Sequence, residues 1–234
     1  MKSIVLILSS LSLLTSASYA QDSIATSDES SAGFAVRAST LGLGGEFTYP
    51  IGKKVNLRAG LYGFTHDRVE TADNIDYDLK ANLFNAGVMM DYYPWAGIFH
   101  LSTGVFYSNN KVDAEGQSGQ NFEIGDRIYT PDEVGTMYGT VKANKVAPYA
   151  GFGWGKTTSG EGRVKFLFDV GVLLHGTPKV VLNSDIPADS PLNLDPAQRA
   201  EFDANLDKEI AAFQDDISSY KIYPVVSFGV GFKF

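Results

Sequence analysis

The 234-residue chain contains no cysteine, only three histidines and two tryptophans, and fewer basic than acidic residues, 19 against 27. Without cysteine there is no disulfide scaffold and no thiolate metal site. A formal net charge of -8 argues against nucleic acid as a partner, because phosphate binding demands a basic surface. Long hydrophobic runs are missing as well. The most apolar stretch, Ile4 to Leu14, is too short for a transmembrane helix, which needs roughly 20 apolar residues. It follows Met1-Lys2 and precedes the small-residue pattern Ser18-Tyr19-Ala20. Residues 1–20 therefore read as a cleaved secretory signal peptide. Residues 21–32, rich in Ser, Asp and Glu, read as a disordered periplasmic lead-in.

What the chain does have is glycine (24), phenylalanine (15) and tyrosine (12), arranged with a period of two. Tyr220, Ile222, Pro224, Val226, Phe228, Val230, Phe232 and Phe234 alternate with Lys221, Ser227, Gly229, Gly231 and Lys233. Such alternation puts the two sets on opposite faces of a strand. In a transmembrane β-barrel the apolar set faces lipid. Seven further strands follow the same rule: 34–38, 43–49, Val55 to Gly63, Leu79 to Tyr93, Phe99 to Ser108, Lys145 to Trp154 and Arg163 to Leu174. Apolar parity flips across Thr40-Leu41-Gly42, which predicts two strands joined by a tight turn, although one bulged strand is the alternative. A second flip near Leu83-Phe84 predicts a bulge. Connections alternate short (Pro50 to Lys54, Pro94 to Gly97, Lys156 to Gly162) and long (Thr65 to Asp78, Asn109 to Gly139, His175 to Ser219). That is the asymmetry of periplasmic turns and extracellular loops. Tyr49, Tyr92, Tyr93, Trp95 and Trp154 cluster at the short-turn ends, where an aromatic girdle is expected.

The predicted fold is all-β: an eight-stranded antiparallel transmembrane β-barrel over residues 33–234, with long extracellular loops. The last loop carries a helix at 195–218, with Asp195 as N-cap and Pro196 in the first turn. Phe202, Leu206, Ile210, Phe213 and Ile217 form one apolar stripe, so the helix is amphipathic. Phe122 to Tyr129, centred on Gly125-Asp126, predicts a small hairpin. The competing fold is a soluble β-sandwich or β-barrel, whose polar faces would carry scattered charge rather than glycine.

By parity Arg37, Glu46, Arg58, Tyr62, Asp91, Lys145, Tyr149, Lys165 and Asp169 face the lumen. They form either a satisfied internal salt-bridge network or the lining of a narrow passage. Glycines on the same face (Gly60, Gly87, Gly104, Gly151, Gly153, Gly171, Gly229 and Gly231) leave room for side chains to pack across or for water. Asp207, Glu209, Asp215 and Asp216 on the loop helix predict an acidic mouth. His100-Leu101-Ser102 places a histidine and a serine on one face, a pattern similar to that of a lipid A deacylase. The pair lies at the periplasmic end, however, and the strand patterning assigns it no acid to orient the histidine, so no catalytic site is expected. Asp73, Asp76 and Asp78 lack the glycine and terminal glutamate of a calcium loop. No metal and no cofactor are expected.

Five stretches, Arg37–Glu46, Asp91–Trp95, Ala147–Gly155, His175–Val180 and Tyr223–Phe232, resemble a family of small bacterial outer-membrane β-barrels described generically as outer membrane proteins. The segments beginning at Ala147 and Gly176 are more distantly similar to the CarO type of outer-membrane protein, a family linked to uptake of small basic amino acids. The resemblance implies a Gram-negative outer-membrane location and a porin-like, narrow channel or binding protein for small hydrophilic, cationic solutes. The alternative is a closed structural barrel whose acidic loops meet the envelope or a partner. Expected partners are outer-membrane lipid, lipopolysaccharide and a small solute, with the protein monomeric. These motifs are strand and turn signatures, so no ligand residue is carried over from them.

Overall fold

The computed structural model describes residues 31–72, 75–116, 119, 121–160 and 162–234. The expected signal peptide, and the lead-in up to residue 30, lie outside the described residues. Eight strands close on one another in antiparallel order: β1 (Gly33–Ser39), β2 (Gly42–Gly52), β3 (Val55–Ala72), β4 (Ile75–Tyr92), β5 (Phe99–Ser108), β10 (Val146–Trp154), β11 (Val164–Leu173) and β13 (Tyr223–Lys233). Pairing of β13 with β1 and of β4 with β5 completes the ring, so the barrel has no free edge to manage. The tight turn at Thr40-Leu41 separates β1 from β2, as the parity flip requires. Gly42 takes a φ of 114° there, a left-handed conformation open to glycine.

The alternating apolar residues point away from the barrel. Leu43 is 65% exposed and Phe166 82%, with Val36, Leu57, Leu61, Val88, Met90, Leu101, Val105 and Phe228 also exposed. An apolar exterior running round a closed barrel is far larger than any patch a soluble monomer tolerates; it matches the lipid-facing band of a transmembrane barrel. Tyr49, Tyr92, Trp95 and Trp154 join this exterior. Tyr93 departs from the expected girdle: it is 2% exposed and turned into the lumen, on the inward parity of Asp91.

The long connections are built largely of strand. β3 and β4 run past the band and stay in register to the pair Ala72–Ile75. β6 (Lys111–Gly116), β9 (Thr136–Lys142) and β12 (Lys179–Asp185) extend the sheet in the order β4-β6-β9-β12. One side of the barrel thus rises as a wall beyond the apolar band. The bulge predicted near Leu83-Phe84 is absent, since the β3–β4 register is unbroken. Parity flips because the environment does. Along β4 the outward positions are apolar in lipid (Phe84, Val88) and charged above it (Lys80, Asp78), whereas inward Tyr77 packs into a loop core. Alternation reports which face is apolar, and the apolar face changes when a strand leaves the bilayer.

That loop core contains the hairpin β7 (Phe122–Ile124) and β8 (Arg127–Tyr129), the short helices α1 (Pro131–Val134) and α2 (Pro191–Leu194), and α3 (Pro196–Ile217). Phe122, Ile124, Tyr129, Val134, Leu192 and Phe202 form one buried cluster. Phe213 and Ile217 pack with Val180, Val141 and Leu182, which lie on the lumen-side parity of the wall. The side chain of Asp195 accepts a 2.9 Å hydrogen bond from the Ala197 N–H, capping α3. That bond, followed by one from Gln198, holds the Asp195 carboxyl below its ordinary value.

Candidate functional site: the barrel lumen

The inward face of the barrel carries buried side chains from several strands. At mid-height two arginines meet three carboxylates. Arg37 Nε donates to Glu46 Oε2 at 2.6 Å and Arg37 Nη1 donates to Asp169. Arg58 Nη1 lies 3.3 Å from both Glu46 oxygens, and its Nη2 reaches Asp91 Oδ1 at 2.9 Å and Asp169 Oδ1 at 3.1 Å. Tyr62 donates its hydroxyl proton to Glu46. All six residues are at most 5% exposed. Registry brings them together. Arg37 stands opposite Gly44 with Glu46 on the diagonal, and Asp91 stands opposite Ser102. Buried charges of this kind are tolerated only when each is paired and hydrogen-bonded.

The inner glycines make room for this packing. A Cβ on Gly60 would stand 3.2 Å from Glu46 Cγ, and one on Gly229 would stand 3.0 Å from Arg37 Cδ. At Gly151 and Gly171 it would approach the Tyr149 hydroxyl to 2.5 Å, and at Gly87 the Phe106 ring to 2.4 Å. Of the two uses the sequence allows for these glycines, the structure displays side chains packed across the barrel.

Above the ion network the lumen is lined by a buried apolar collar: Leu41, Tyr62, Met89, Phe106, Tyr149, Leu173 and Val225. Leu41 reaches it from the β1–β2 turn, where its carbonyl accepts from Asn85 Nδ2 at 3.1 Å. Below the network the β10–β11 turn folds inward. Thr157, Thr158 and Ser159 are buried, and Thr158 Oγ1 accepts from Asn56 Nδ2 at 3.0 Å. The ammonium of Lys156 sits 5.1 Å from the centre of the Tyr93 ring, a cation–π contact.

Of the residues assigned to the lumen by parity, Arg37, Glu46, Arg58, Tyr62, Asp91, Tyr149 and Asp169 lie in its interior. Lys165 is half-buried at the short-turn end of the lumen near Gly160. Lys145 is a correction: it is exposed in the bend between β9 and β10, because the local bend frees its own side chain from the barrel face, although the strands on either side keep one registry. Of the helix acids, Asp207, Asp215 and Asp216 are exposed, and Glu209 is half-buried with Oε2 3.4 Å from the Gly125 N–H.

His100 and Ser102 also sit inside, and the acid that strand patterning did not assign is present: Asp169 Oδ1 lies 3.0 Å from His100 Nε2. Ser102, however, donates to Asp91 at 2.6 Å and accepts from Arg58 at 3.2 Å. The histidine and the serine thus belong to different carboxylates, whereas a nucleophile must be bonded to its base. Asp169 was hidden from sequence reasoning by its separation from His100, although both carry inward parity. Among the described residues, no group of three or more His, Asp or Glu residues is arranged to hold a metal; Asp73 lies outside them.

No family model matches the chain, and no curated protein matches it. Two crystal structures of Acinetobacter baumannii proteins are similar in fold. CarO2 gives a TM-score of 0.57 at 22% identity over 87% of this chain and 98% of its own. CarO gives 0.51 at 22% identity over 86% of this chain and 97% of its own. The chain shares with them the fold of a closed eight-stranded antiparallel β-barrel.

Proposed function

We propose that the protein is a Gram-negative outer-membrane barrel with a sealed lumen, serving as a structural support for the folded layer that stands above it. The carrying observation is the ion network of Arg37, Glu46, Arg58, Asp91 and Asp169, buried between an apolar collar and an inward-folded turn. An eight-stranded barrel is just wide enough for its own side chains, and here those side chains bond to one another. Export by a signal peptide cleaved after Ala20 belongs to the same reading. Mass spectrometry of the protein recovered from outer membranes tests it by locating the mature N-terminus.

The second reading is a narrow channel or binding protein for small hydrophilic, cationic solutes. It is favoured by Asp207, Asp215 and Asp216, exposed on a helix that packs on the lumen side of the wall, since acidic groups at a mouth concentrate cations. Passage would require the collar to move and the ion network to exchange partners. Planar-bilayer conductance distinguishes the two. A sealed barrel shows no unitary steps in potassium chloride and no lysine flux into liposomes, and a Phe106→Ala/Tyr149→Ala variant, opened at the collar, leaks. Reproducible cation-selective steps from the wild type would replace the structural reading with the channel.

A further inference from the structure

The outward face of the extracellular wall carries a row of lysines that the barrel interior does not use. Lys111 on β6 is the cross-strand partner of Lys142 on β9, and Lys142 is the partner of Lys179 on β12. Asn82 and Thr65 continue the row across β4 and β3. Directly opposed side chains stand about 4.5–5.5 Å apart at Cβ, and like charges so placed repel. Lys111 is partly neutralised by Asp113 at 2.6 Å, whereas Lys142 and Lys179 are exposed. Three lysines in register, in a chain of net charge -8, call for an anion to offset their repulsion.

Their height identifies its source. Tyr107 and Val146, exposed at the top of the apolar band, are themselves cross-strand partners. β5 and β10 run on into β6 and β9 with the same registry, with Asn109 and Asn144 one outward position above the band and Lys111 and Lys142 the next. Two outward steps are about 13 Å of strand, or about 10 Å of height at the tilt of a membrane barrel. The headgroup layer adds roughly 5–8 Å to the hydrocarbon on each side, and lysine stems bend toward it. Charge is also layered away from the membrane. The next outward row holds Asp67, Lys80 and Asp113, and the one above holds Asp78, Glu115 and Tyr138. Both rows line a groove of about 580 Å³. The base-only row is therefore the one nearest lipid.

We propose that Lys111, Lys142 and Lys179 bind the phosphate groups of a phosphorylated glycolipid of the outer leaflet, with its sugar against the groove beside Tyr138. This rests on the bilayer placement above, and the test separates the two. Folded full-length protein in detergent is titrated, by native mass spectrometry, with bisphosphorylated lipid A, dephosphorylated lipid A and inorganic phosphate. Wild type is expected to bind the bisphosphorylated form at least tenfold more tightly than the dephosphorylated one, a preference that shrinks in high salt. Lys111→Asn/Lys142→Asn/Lys179→Asn is expected to lose the preference, and Lys53→Asn/Lys208→Asn/Lys221→Asn, matched in charge, to keep it. Lys142→Gln alone gives a graded loss and serves if the triple variant does not fold. Equal binding of the two lipid forms, or an unchanged preference in the row variants, overturns the proposal. Inorganic phosphate bound as tightly as the lipid overturns the lipid source. A wild type that shows no heat-modifiable band and does not fractionate with outer membranes refutes the bilayer reading instead.

Discussion

Replacing Glu46 by glutamine would remove the carboxylate on which three donors converge. Arg37 Nε, Arg58 Nη1 and the Tyr62 hydroxyl all point at it, and Glu46 is 2% exposed. Glutamine keeps the shape and one acceptor oxygen but turns an NH2 group toward donors. At least one buried donor then loses its acceptor, at about 1–3 kcal/mol for a neutral group and more for a charged one. Breaking a buried ion pair by removing one partner costs about 3–5 kcal/mol, and that is the loss expected for Glu46→Gln. Adding Arg37→Gln removes one of the facing donors but takes from Asp169 one of its two arginines. The double variant should therefore recover only part of the loss, with a coupling of about 1–3 kcal/mol. Equilibrium unfolding in urea, in lipid vesicles and followed by tryptophan fluorescence, measures all four corners of the cycle. Effects that sum to within about 0.5 kcal/mol would refute the network as a cooperative unit, and with it the physical basis of the sealed lumen.

Three further perturbations follow from other parts of the fold. Val88→Arg places a charge on the lipid face midway along the part of β4 that crosses the apolar band, at a cost of about 2–4 kcal/mol near the midplane. The heat-modifiable fraction on gels should fall, whereas Gly52→Ser, where an added Cβ meets nothing within 4 Å, should leave it unchanged. Phe202→Ala empties the centre of the loop cluster, where large-to-small changes cost about 3–5 kcal/mol; hydrogen exchange should rise in 122–137 and 196–217 while the barrel strands stay protected. Glu133 is held below its ordinary 4.5 by the Thr130 backbone N–H first, with the Thr130 hydroxyl and Arg127 assisting. A carboxylate with a lowered folded-state value contributes stability that is complete above 4.5 and is lost as pH falls through that lowered value. Acidification from pH 5 to pH 3 should thus loosen the Thr130 turn in wild type, and Glu133→Gln should remove this dependence.

The strands of the barrel were legible because lipid imposes a rule. Outward residues within the band are mostly apolar, and most inward ones alternate with them as glycine or polar residues, so Phe34, Leu57, Val88 and Phe228 reveal their direction without any knowledge of their neighbours. The same rule located the turn at Thr40-Leu41, while a capping residue and an apolar stripe at helical spacing located the helix at Pro196. It failed where lipid ends. Above the band the apolar face of β4 switches sides, so the sequence pattern suggested a bulge and loops where the chain continues as a straight paired wall. It failed also at Lys145, where a local bend frees one side chain from the barrel face; at Tyr93 parity held, and it was the girdle expectation that failed, since the ring turns inward. Parity could place Arg37, Glu46, Arg58, Asp91 and Asp169 on one face but not decide that they touch. That decision belongs to registry and closure, which bring Asp169 to His100 and set the three lysines of separate strands in one row. Periodicity is a local property of each strand. Which strands meet, and at what height, depends on contacts between residues far apart in the chain.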